Sequence, residues 1–235
     1  MKKIILNQKS YLLYDEMINF KKSFDKYKLD GYDMIIFPPL LYLSMFKDSE
    51  YKVGTQNFHS YKMGSFTGEL NLESLRNIGI KYTMIGHYER RLYASETYEI
   101  SKEKLFKSIS SKNHTILCVG EHRKTRNPFT YIKKELNYYL KAIDFTSIKY
   151  LSILYEPNWA VGSGKIQCTN KIEKIVNKIK KYVLSKYDYN IDVYYGGSID
   201  KENIEKIMEI SDGIVLGKVS TNFDELKDML SVLKK

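Results

Sequence analysis

The chain has 235 residues, of which 43% are hydrophobic and 14% aromatic. This length and composition exclude a disordered chain and leave room for one large domain or two small ones. The formal net charge of +10 raises the question of a nucleic-acid partner. The lysines, however, are scattered along predicted helices instead of clustering with aromatic residues, so the sequence predicts no nucleic-acid partner. The positive field would instead attract a small anionic substrate.

The cysteine count and the apolar runs indicate a compartment. Cys118 and Cys168 are too few for a disulfide framework, and we expect both thiols to be reduced. Cys118 lies in an apolar run and is predicted to be buried in a strand. The basic N-terminus is followed by only three apolar residues, unlike a signal peptide, and no run approaches the ~18 residues of a membrane span. The sequence predicts a cytoplasmic protein with no membrane partner.

Short apolar runs alternate with longer amphipathic stretches along the whole chain. Runs without polar alternation are typical of parallel strands that are buried on both faces. Eight strand–helix units of about 29 residues each imply right-handed crossovers and a parallel sheet. The predicted strands, in chain order, are residues 4–6, 34–37, 51–53, 82–85, 115–119, 150–154, 193–195 and 213–216.

The amphipathic stretches have a helical period. Ile172, Ile175, Ile179 and Val183 form one apolar stripe, and Thr221 or Asn222 is the predicted cap of the last helix. No linker or composition shift divides the chain, so we expect residues 1–235 to form a single domain. An open doubly wound sheet is disfavoured because no Gly-x-Gly-x-x-Gly follows the first strand. Eight units favour the α/β class with a closed (β/α)8 barrel, eight parallel strands inside and helices outside.

Such a barrel carries its active site at the carboxyl ends of the strands. The first strand ends in Asn7 and Lys9, and the fourth ends in Gly86-His87 before a dense run of charges that ends at Arg91. A lone lysine here is commonly a solvated charge, and a lone histidine is more often structural than catalytic. Whether this lysine and this histidine are functional therefore depends on the residues at the other strand ends.

The sixth strand ends in a carboxylate, Glu156. It is followed by Pro157, by the only tryptophan of the chain, Trp159, and by a glycine-containing loop that includes Gly164. A carboxylate at a strand tip before a Pro-to-Gly loop is typical of an acid or base beside a moving lid.

Glycines follow the last two predicted strands. Gly196 and Gly197 precede Ser198, and Gly217 precedes Lys218. Glycines at this place expose backbone N–H groups, and barrels commonly bind phosphate there. The strand ends together predict an enzyme that acts on a phosphorylated small molecule.

These segments resemble the signature segments of the triosephosphate isomerase family, in order and at fitting spacings, across roughly residues 3–232. They are Asn7-x-Lys9, Gly86-His87-x-Glu89-Arg90-Arg91, Tyr155-Glu156-Pro157-x-Trp159-Ala160-x-Gly162-x-Gly164-Lys165 and Tyr195-Gly196-Gly197-Ser198. Supporting matches are Gln56-Asn57, the loop at residues 64–69 and Cys118-Val119-Gly120-Glu121. The sixth-strand segment is the most specific.

The resemblance implies an aldose–ketose isomerase with a TIM barrel, acting on dihydroxyacetone phosphate and glyceraldehyde 3-phosphate in glycolysis and gluconeogenesis. Glu156 would remove a proton next to the carbonyl to give an enediolate, and His87 would polarise that carbonyl as a neutral imidazole. Lys9 would offset negative charge, with a hydrogen bond from Asn7, and Glu89 would orient Lys9.

The resemblance also implies how the substrate phosphate is held. Gly162, Ser198 and Gly217 would donate backbone N–H groups, and Lys218 would add a side-chain charge. Residues 157–165 would close as a lid that includes Pro157, Trp159, Gly164 and Lys165. It implies no metal or organic cofactor. It also implies a homodimer in which Thr67 reaches the partner's active site.

Three residues depart from the family's pattern. Tyr88 follows the histidine where serine is usual, Lys218 replaces a glycine, and Gln8 replaces an aromatic residue. The sequence leaves three interpretations open: neutral divergence, a paralogue for another short aldose–ketose phosphate such as a four-carbon one, and a barrel that binds a phosphorylated metabolite without converting it. We expect Tyr88 beside the base and Lys218 near the phosphate.

Overall fold

A computed structural model describes residues 1–141, 143–162, 164 and 166–234. Its eight strands are parallel, each pairs with the next in chain order, and the first also pairs with the last, so the sheet is a closed barrel. The strands are β1 (Lys2–Asn7), β2 (Tyr32–Phe37), β3 (Lys52–Thr55), β4 (Tyr82–Ile85), β5 (His114–Val119), β6 (Leu151–Tyr155), β7 (Val193–Gly196) and β8 (Gly213–Leu216).

Helices connect the strands on the outside of the barrel. The α-helices are α1 (Tyr14–Phe24), α2 (Leu72–Asn77), α3 (Tyr88–Tyr93), α4 (Tyr98–Ser110), α5 (Pro128–Leu140), α6 (Thr169–Tyr187), α7 (Ile204–Ile210) and α8 (Phe223–Leu230). The 3-10 segments are Leu40–Phe46, Ile148–Tyr150, Asn158–Ala160, Lys218–Thr221 and Ser231–Leu233. The link between β2 and β3 contains only a 3-10 helix. Within the described residues, no helix is long and apolar enough to cross the hydrocarbon core of a bilayer.

Two apolar layers account for the apolar runs in the strands. Successive strand side chains point to opposite faces, and in β1 Ile5 packs inside the barrel while Ile4 and Leu6 pack outward against helices. Both faces are therefore buried, which is why the strands lack polar alternation. Cys118 lies in the inner layer as predicted, and both cysteines are free.

The helices confirm the sequence pattern. The stripe from Ile172 to Val183 is buried on α6. Helix α8 begins after Asn222, whose side chain accepts the N–H groups of Asp224 and Glu225. This cap satisfies two donors that the first helical turn leaves free, and it decides between the two predicted caps in favour of Asn222.

All eight predicted strands are present, and β4 and β8 have the predicted bounds. The main difference is that β1 starts at Lys2 and β2 at Tyr32, before their apolar runs. The reason is electrostatic as well as geometric, because Lys3 pairs in register with Asp33 and its ammonium contacts Asp192. Ladder pairing therefore extends past the hydrophobic core into polar residues at the amino-terminal end of the barrel.

Candidate active site

The carboxyl ends of the strands place Asn7, Lys9, Glu156, Ser198 and Gly217 around a cavity of about 440 Å³, whereas His87 and Glu89 line a neighbouring cavity that also includes Asn7 and Lys9. Asn7 and Lys9 follow β1, Glu156 follows β6, and Ser198 and Gly217 follow β7 and β8. The lining residues are Asn7, Lys9, Tyr11, Glu156, Val161, Gly162, Gly197, Ser198, Ile199, Val215, Leu216, Gly217, Lys218 and Val219. A pocket of this size, lined by charged and polar side chains as well as apolar ones, suits a small polar ligand.

Lys9 is held in a conformation that few non-glycine residues adopt. Its φ is 52°, and such strain persists only where the surroundings fix the residue. Gln56 provides this constraint, since its Nε2 donates to the carbonyl of Lys9 at 2.9 Å. The Lys9 ammonium forms an ion pair with Glu89, and the Lys9 N–H donates to Asn7 Oδ1 at 3.3 Å. The positive charge at this point of the pocket is therefore fixed at both the backbone and the side chain.

His87 is the N-cap of α3, and this position determines its tautomer. The N–H of Glu89 donates to His87 Nδ1 at 3.3 Å. Because Nδ1 accepts a hydrogen bond, the neutral imidazole carries its hydrogen on Nε2. Nε2 is buried, has no hydrogen-bond partner among the described residues, and lies 3.4 Å from Glu156 Oε2. The imidazole thus presents an unused donor toward the carboxylate.

Glu156 is 7% exposed, and its N–H is anchored to the carbonyl of Val119 at 2.9 Å. Its Oε2 is buried and, like His87 Nε2, has no hydrogen-bond partner among the described residues. A Cβ at Gly196 would lie 3.1 Å from Glu156 Oε1, so the glycine leaves room for the carboxylate. A buried carboxylate with an unsatisfied oxygen is expensive without a role, which marks Glu156 as a functional group.

The end of the cavity where the sequence predicts phosphate binding is more open. Gly162 has a φ of 65° and lies at the surface, Lys218 is exposed, and the Ser198 hydroxyl donates to the carbonyl of Ala160 at 3.2 Å. Gly217 lies beside the Lys9 side chain, because a Cβ there would be 3.7 Å from Lys9 Cε. Glycines and two lysines, Lys9 and Lys218, therefore line this end of the cavity.

The first part of the lid contacts the loop after β5. The Trp159 indole N–H donates to Glu121 Oε1 at 2.9 Å, and Asn158 Nδ2 donates to the carbonyl of Gly120 at 3.1 Å. Gly164 has a φ of 69°. The predicted lid residue Lys165, and Ser163 between the two glycines, lie outside the described residues.

Comparison with known proteins gives one result. The family model for triosephosphate isomerase matches residues 2–233. The chain belongs to the triosephosphate isomerase family. It is 32% identical to the triosephosphate isomerase of Mycoplasma genitalium, over 97% of both chains. It is 36% identical to that of Wigglesworthia glossinidia brevipalpis, over 86% of this chain and 84% of the relative, and 38% identical to that of Alkaliphilus metalliredigens, over 75% of each.

Family membership bears on the alternatives that the sequence left open. These relatives are all named triosephosphate isomerase, so neither a four-carbon specificity nor a non-catalytic barrel gains support from them. Among the described residues, no three His, Cys, Asp or Glu side chains are grouped so that they could hold a metal ion.

The three departures from the family's pattern lie differently with respect to the cavity. Lys218 lines it, as expected. Tyr88 is not among its lining residues, and its ring instead lies 6.2 Å from the ring of His122. Gln8 is buried and donates to the carbonyl of Ser220 at 2.9 Å, which ties β1 to the segment after β8.

Sequence reasoning missed several supporting residues. Gln56 and Glu121 belong to family segments, but nothing in their spacing reveals that Gln56 holds the Lys9 backbone or that Glu121 holds Trp159. Glu135 was also missed. It lies on the buried face of α5 between Ile132 and Leu136, and a charged residue on an apolar stripe is a signal that the pattern does contain.

Proposed function

We propose that this chain is a triosephosphate isomerase that interconverts dihydroxyacetone phosphate and glyceraldehyde 3-phosphate without a cofactor. The observation that carries the proposal is the pair of buried, unsatisfied groups, Glu156 Oε2 and His87 Nε2, which lie 3.4 Å apart. Lys9 shares one cavity with Glu156 and the neighbouring cavity with His87. A base, a hydrogen-bond donor and a positive charge at one point are what an enolisation requires.

The proposed reaction moves one proton between adjacent carbons. The Glu156 carboxylate takes a proton from the carbon next to the carbonyl, and the electron pair of that C–H bond moves to give an enediolate. His87 donates its Nε2 hydrogen toward the oxygen that gains charge, while Lys9 stabilises the same charge electrostatically. His87 gives its Nε2 hydrogen to the former carbonyl oxygen and takes the hydroxyl hydrogen of the neighbouring oxygen. Glu156 returns its proton to the former carbonyl carbon, and the exchange of ketose and aldose is then complete with no net oxidation.

The proposed position of the phosphate determines the orientation of the substrate. We place it at the end of the cavity formed by Gly162, Ser198 and Gly217, where backbone N–H groups and the Lys218 charge would hold it. Asn7 and Lys9 line the cavity as well, so the reacting carbons would lie between the phosphate and His87. Closure of residues 157–165 over the substrate would exclude water, in which the enediolate would lose its phosphate.

We further propose that the whole chain is one domain and that it works in the cytoplasm. The family match over residues 2–233 supports a single domain, and the two free cysteines fit a reducing compartment.

A homodimer is the proposed assembly. A second cavity, of about 540 Å³, lies on the other side of Lys9 and Glu89, and its wall includes Leu41 and Tyr93, each 80% exposed. Apolar side chains of this size at a cavity mouth indicate a surface that another chain covers. The occupant we propose is the partner's loop at residues 64–69, in which Thr67 is exposed and Phe66 stacks on Tyr61 with ring centroids 4.8 Å apart.

Light scattering at micromolar concentration tests the assembly. The expected molar mass is that of two chains, and Thr67→Arg, which places a bulky charge at the proposed contact, should shift it toward one chain. A wild-type mass of one chain would refute the dimer.

A coupled isomerase assay on dihydroxyacetone phosphate, run beside four-carbon ketose phosphates, tests the function. We expect turnover of dihydroxyacetone phosphate with the highest kcat/KM in the set. A higher kcat/KM on a four-carbon substrate would replace the proposal by its paralogue alternative, and the absence of turnover on all of them would leave a binding protein.

A further inference from the structure

Glu135 is a charged residue in an apolar environment. It lies on the inner face of α5 with Ile132, Leu136 and Tyr139, and it is 5% exposed. Burial raises the pKa of its carboxyl group, and the positive charge of Arg91 opposes that effect. Among the described residues no lysine or arginine nitrogen makes a salt bridge with it. A buried carboxyl group is tolerated only when its hydrogen bonds contribute more free energy than its desolvation costs.

Each of its two carboxylate oxygens accepts one hydrogen bond, and the two donors lie in different parts of the molecule. The backbone N–H of Gly120 donates to Oε2 at 2.9 Å, and the hydroxyl of Tyr98 donates to Oε1 at 2.9 Å. Gly120 directly follows β5, whereas Tyr98 begins α4. One side chain on α5 therefore connects the end of β5 to the start of α4, the helix that precedes β5.

The Gly120 contact leads to Glu156. A Cβ at Gly120 would lie 1.9 Å from the carbonyl oxygen of Glu156, so the two backbones are in direct contact. The preceding residue, Val119, accepts the N–H of Glu156, and the Gly120 carbonyl accepts Asn158 Nδ2. A displacement of Gly120 therefore displaces the peptide that carries the proposed base.

The Tyr98 contact leads to His87. The guanidinium carbon of Arg91 lies 5.3 Å from the centroid of the Tyr98 ring, and Arg91 Nη1 donates to the carbonyl of Gly86 at 2.5 Å. Gly86 immediately precedes His87. Arg91 Nε is buried without a hydrogen-bond partner among the described residues, so the ring of Tyr98 and the Gly86 carbonyl determine where the guanidinium lies.

We propose that Glu135 is a positioning residue for both catalytic groups, because its carboxylate holds the Gly120 peptide behind Glu156 and the Tyr98–Arg91 pair behind His87. This inference rests on the proposed function, in which these two groups act on adjacent substrate atoms. Their mutual distance of 3.4 Å leaves little tolerance, and a misplacement of about 1 Å at a reacting centre costs on the order of 10²-fold in rate.

The test compares two substitutions at one position. Glu135→Leu leaves the Gly120 N–H and the Tyr98 hydroxyl without an acceptor, and we expect kcat to fall about tenfold or more while KM changes less than about threefold. Glu135→Gln keeps an oxygen for the Gly120 N–H, and its amide can donate to the Tyr98 oxygen, whose proton can then go to Tyr131, 3.0 Å away. We expect Glu135→Gln to retain at least about a third of kcat.

A deuterium isotope effect separates positioning from mere stability. With dihydroxyacetone phosphate deuterated at the carbon that loses its proton, a displaced base should slow proton transfer and raise the isotope effect on kcat in Glu135→Leu. A purely structural role would lower the melting temperature but leave kcat per folded molecule and the isotope effect at the wild-type values. That result would overturn the proposal.

Two further variants keep the test decisive. Tyr98→Phe removes one hydroxyl and keeps the ring, so it serves if Glu135→Leu does not fold; we expect kcat to fall about threefold or more, and an unchanged kcat would contradict the Tyr98 link. Glu99→Leu is the matched control, because Glu99 also accepts a tyrosine hydroxyl, that of Tyr138, but on the outer surface. Its kinetics should equal the wild type.

Wild type and Glu156→Gln are assayed in parallel. If the wild type does not isomerise dihydroxyacetone phosphate, the proposed function fails. If the wild type is active, Glu156→Gln is inactive and Glu135→Leu is as active as the wild type, only the positioning role fails.

Discussion

The two sides of the candidate active site are built differently. On the side of β1 and β4, Lys9 is paired with Glu89, and behind them Glu96 accepts hydrogen bonds from Arg90, Lys104 and Ser101. On the side of β6 to β8, Gly162 and Lys218 are at the surface, and the segment after β6 is held by hydrogen bonds from the Trp159 indole to Glu121 and from Asn158 to the Gly120 carbonyl. The first side is fixed by ion pairs, and the described part of the second side by hydrogen bonds from neutral groups.

This difference matches the two tasks that the sides have in the proposed mechanism, charge stabilisation and phosphate binding. Groups that stabilise charge in the transition state are most effective when they are held in place before the substrate arrives. In the proposed mechanism, groups that hold the phosphate must also let it enter and leave, so we expect them to lie on a segment that can move. We call the side of β1 and β4 the anchored side and the side of β6 to β8 the lid side. Mutations on the two sides should have different effects, and the following predictions test that expectation.

The largest effect is expected at the base, where the two sides meet. Glu156→Gln removes the proton acceptor but keeps its size, so kcat should fall by about 10²- to 10⁴-fold while substrate still binds. Steady-state kinetics and a binding titration measure both quantities. Retention of more than about a tenth of kcat would show that another group removes the proton.

Mutations on the anchored side should mainly lower the free energy of unfolding. Glu96→Gln leaves the Lys104 ammonium, whose side chain is 6% exposed, without its counter-ion, and loss of one partner of a buried pair costs about 3–5 kcal/mol. Urea unfolding measures the change in the free energy of unfolding. As a control, Glu209→Gln removes the exposed partner of Lys206 and should cost less than about 1 kcal/mol.

The same pair predicts a pH dependence. Burial opposes ionisation of Glu96, but Lys104 and Arg90 together hold the pKa of its carboxyl below the usual value. A lowered pKa in the folded state means that the pair stabilises the protein fully above the unfolded pKa of about 4.3, and that this stability is lost as the pH falls through the folded pKa. The difference in unfolding free energy between wild type and Glu96→Gln should therefore shrink at acid pH. A constant difference would contradict the ion pair.

Mutations on the lid side should mainly lower kcat/KM. Gly164 has a φ of 69°, a region that costs an L-residue about 1–2 kcal/mol, so Gly164→Ala should lower kcat/KM by about tenfold. Gly31→Ala is the matched control, because Gly31 has a φ of 82° and also has open space at its Cβ, but lies before β2 at the other end of the barrel. It should lower stability slightly and leave kcat/KM unchanged. Equal kcat/KM values for the two variants would show that the backbone conformation of Gly164 has no role in turnover.

The smallest effect is expected where the chain departs from its family. Tyr88 packs toward His122 and Lys218 is exposed, so the double variant Tyr88→Ser, Lys218→Gly should change the preference among ketose phosphates by less than about threefold. A pocket reshaped for another substrate would instead give a shift of about ten- to two-hundred-fold. Competition between three- and four-carbon substrates measures the ratio of kcat/KM values.

The sequence predicts the strands well because each is a short run with no polar alternation. It also predicts where a site should lie, because barrels of this kind carry their active sites at the carboxyl ends of the strands. Lys9, His87 and Glu156 are recognisable for that reason. Strand bounds were less accurate at the amino-terminal end of the barrel, where Lys3 pairs with a polar neighbour and hydrophobicity carries no signal.

The supporting contacts were not predictable, because they depend on distances between residues far apart in the chain. Gln56 reaches the Lys9 carbonyl across 47 residues of sequence, and Glu121 reaches the Trp159 indole across 38. Periodicity places a residue on a face but does not say which backbone group from another strand it meets. The path from Glu135 to His87 begins with one such contact, to Tyr98, and continues through two local ones, Tyr98 to Arg91 and Arg91 to the Gly86 carbonyl.

The hydrogen bond between Trp159 and Glu121 makes the lid observable without any label. Trp159 is the only tryptophan in the chain, so excitation at the red edge of aromatic absorption reports on the first turn of the lid alone. Its indole contacts a buried carboxylate on one side, and the Lys124 ammonium lies 5.4 Å from its ring centroid on the other. Emission from this residue is therefore sensitive to any movement that separates it from those two charges, and stopped-flow fluorescence can time lid motion directly against turnover.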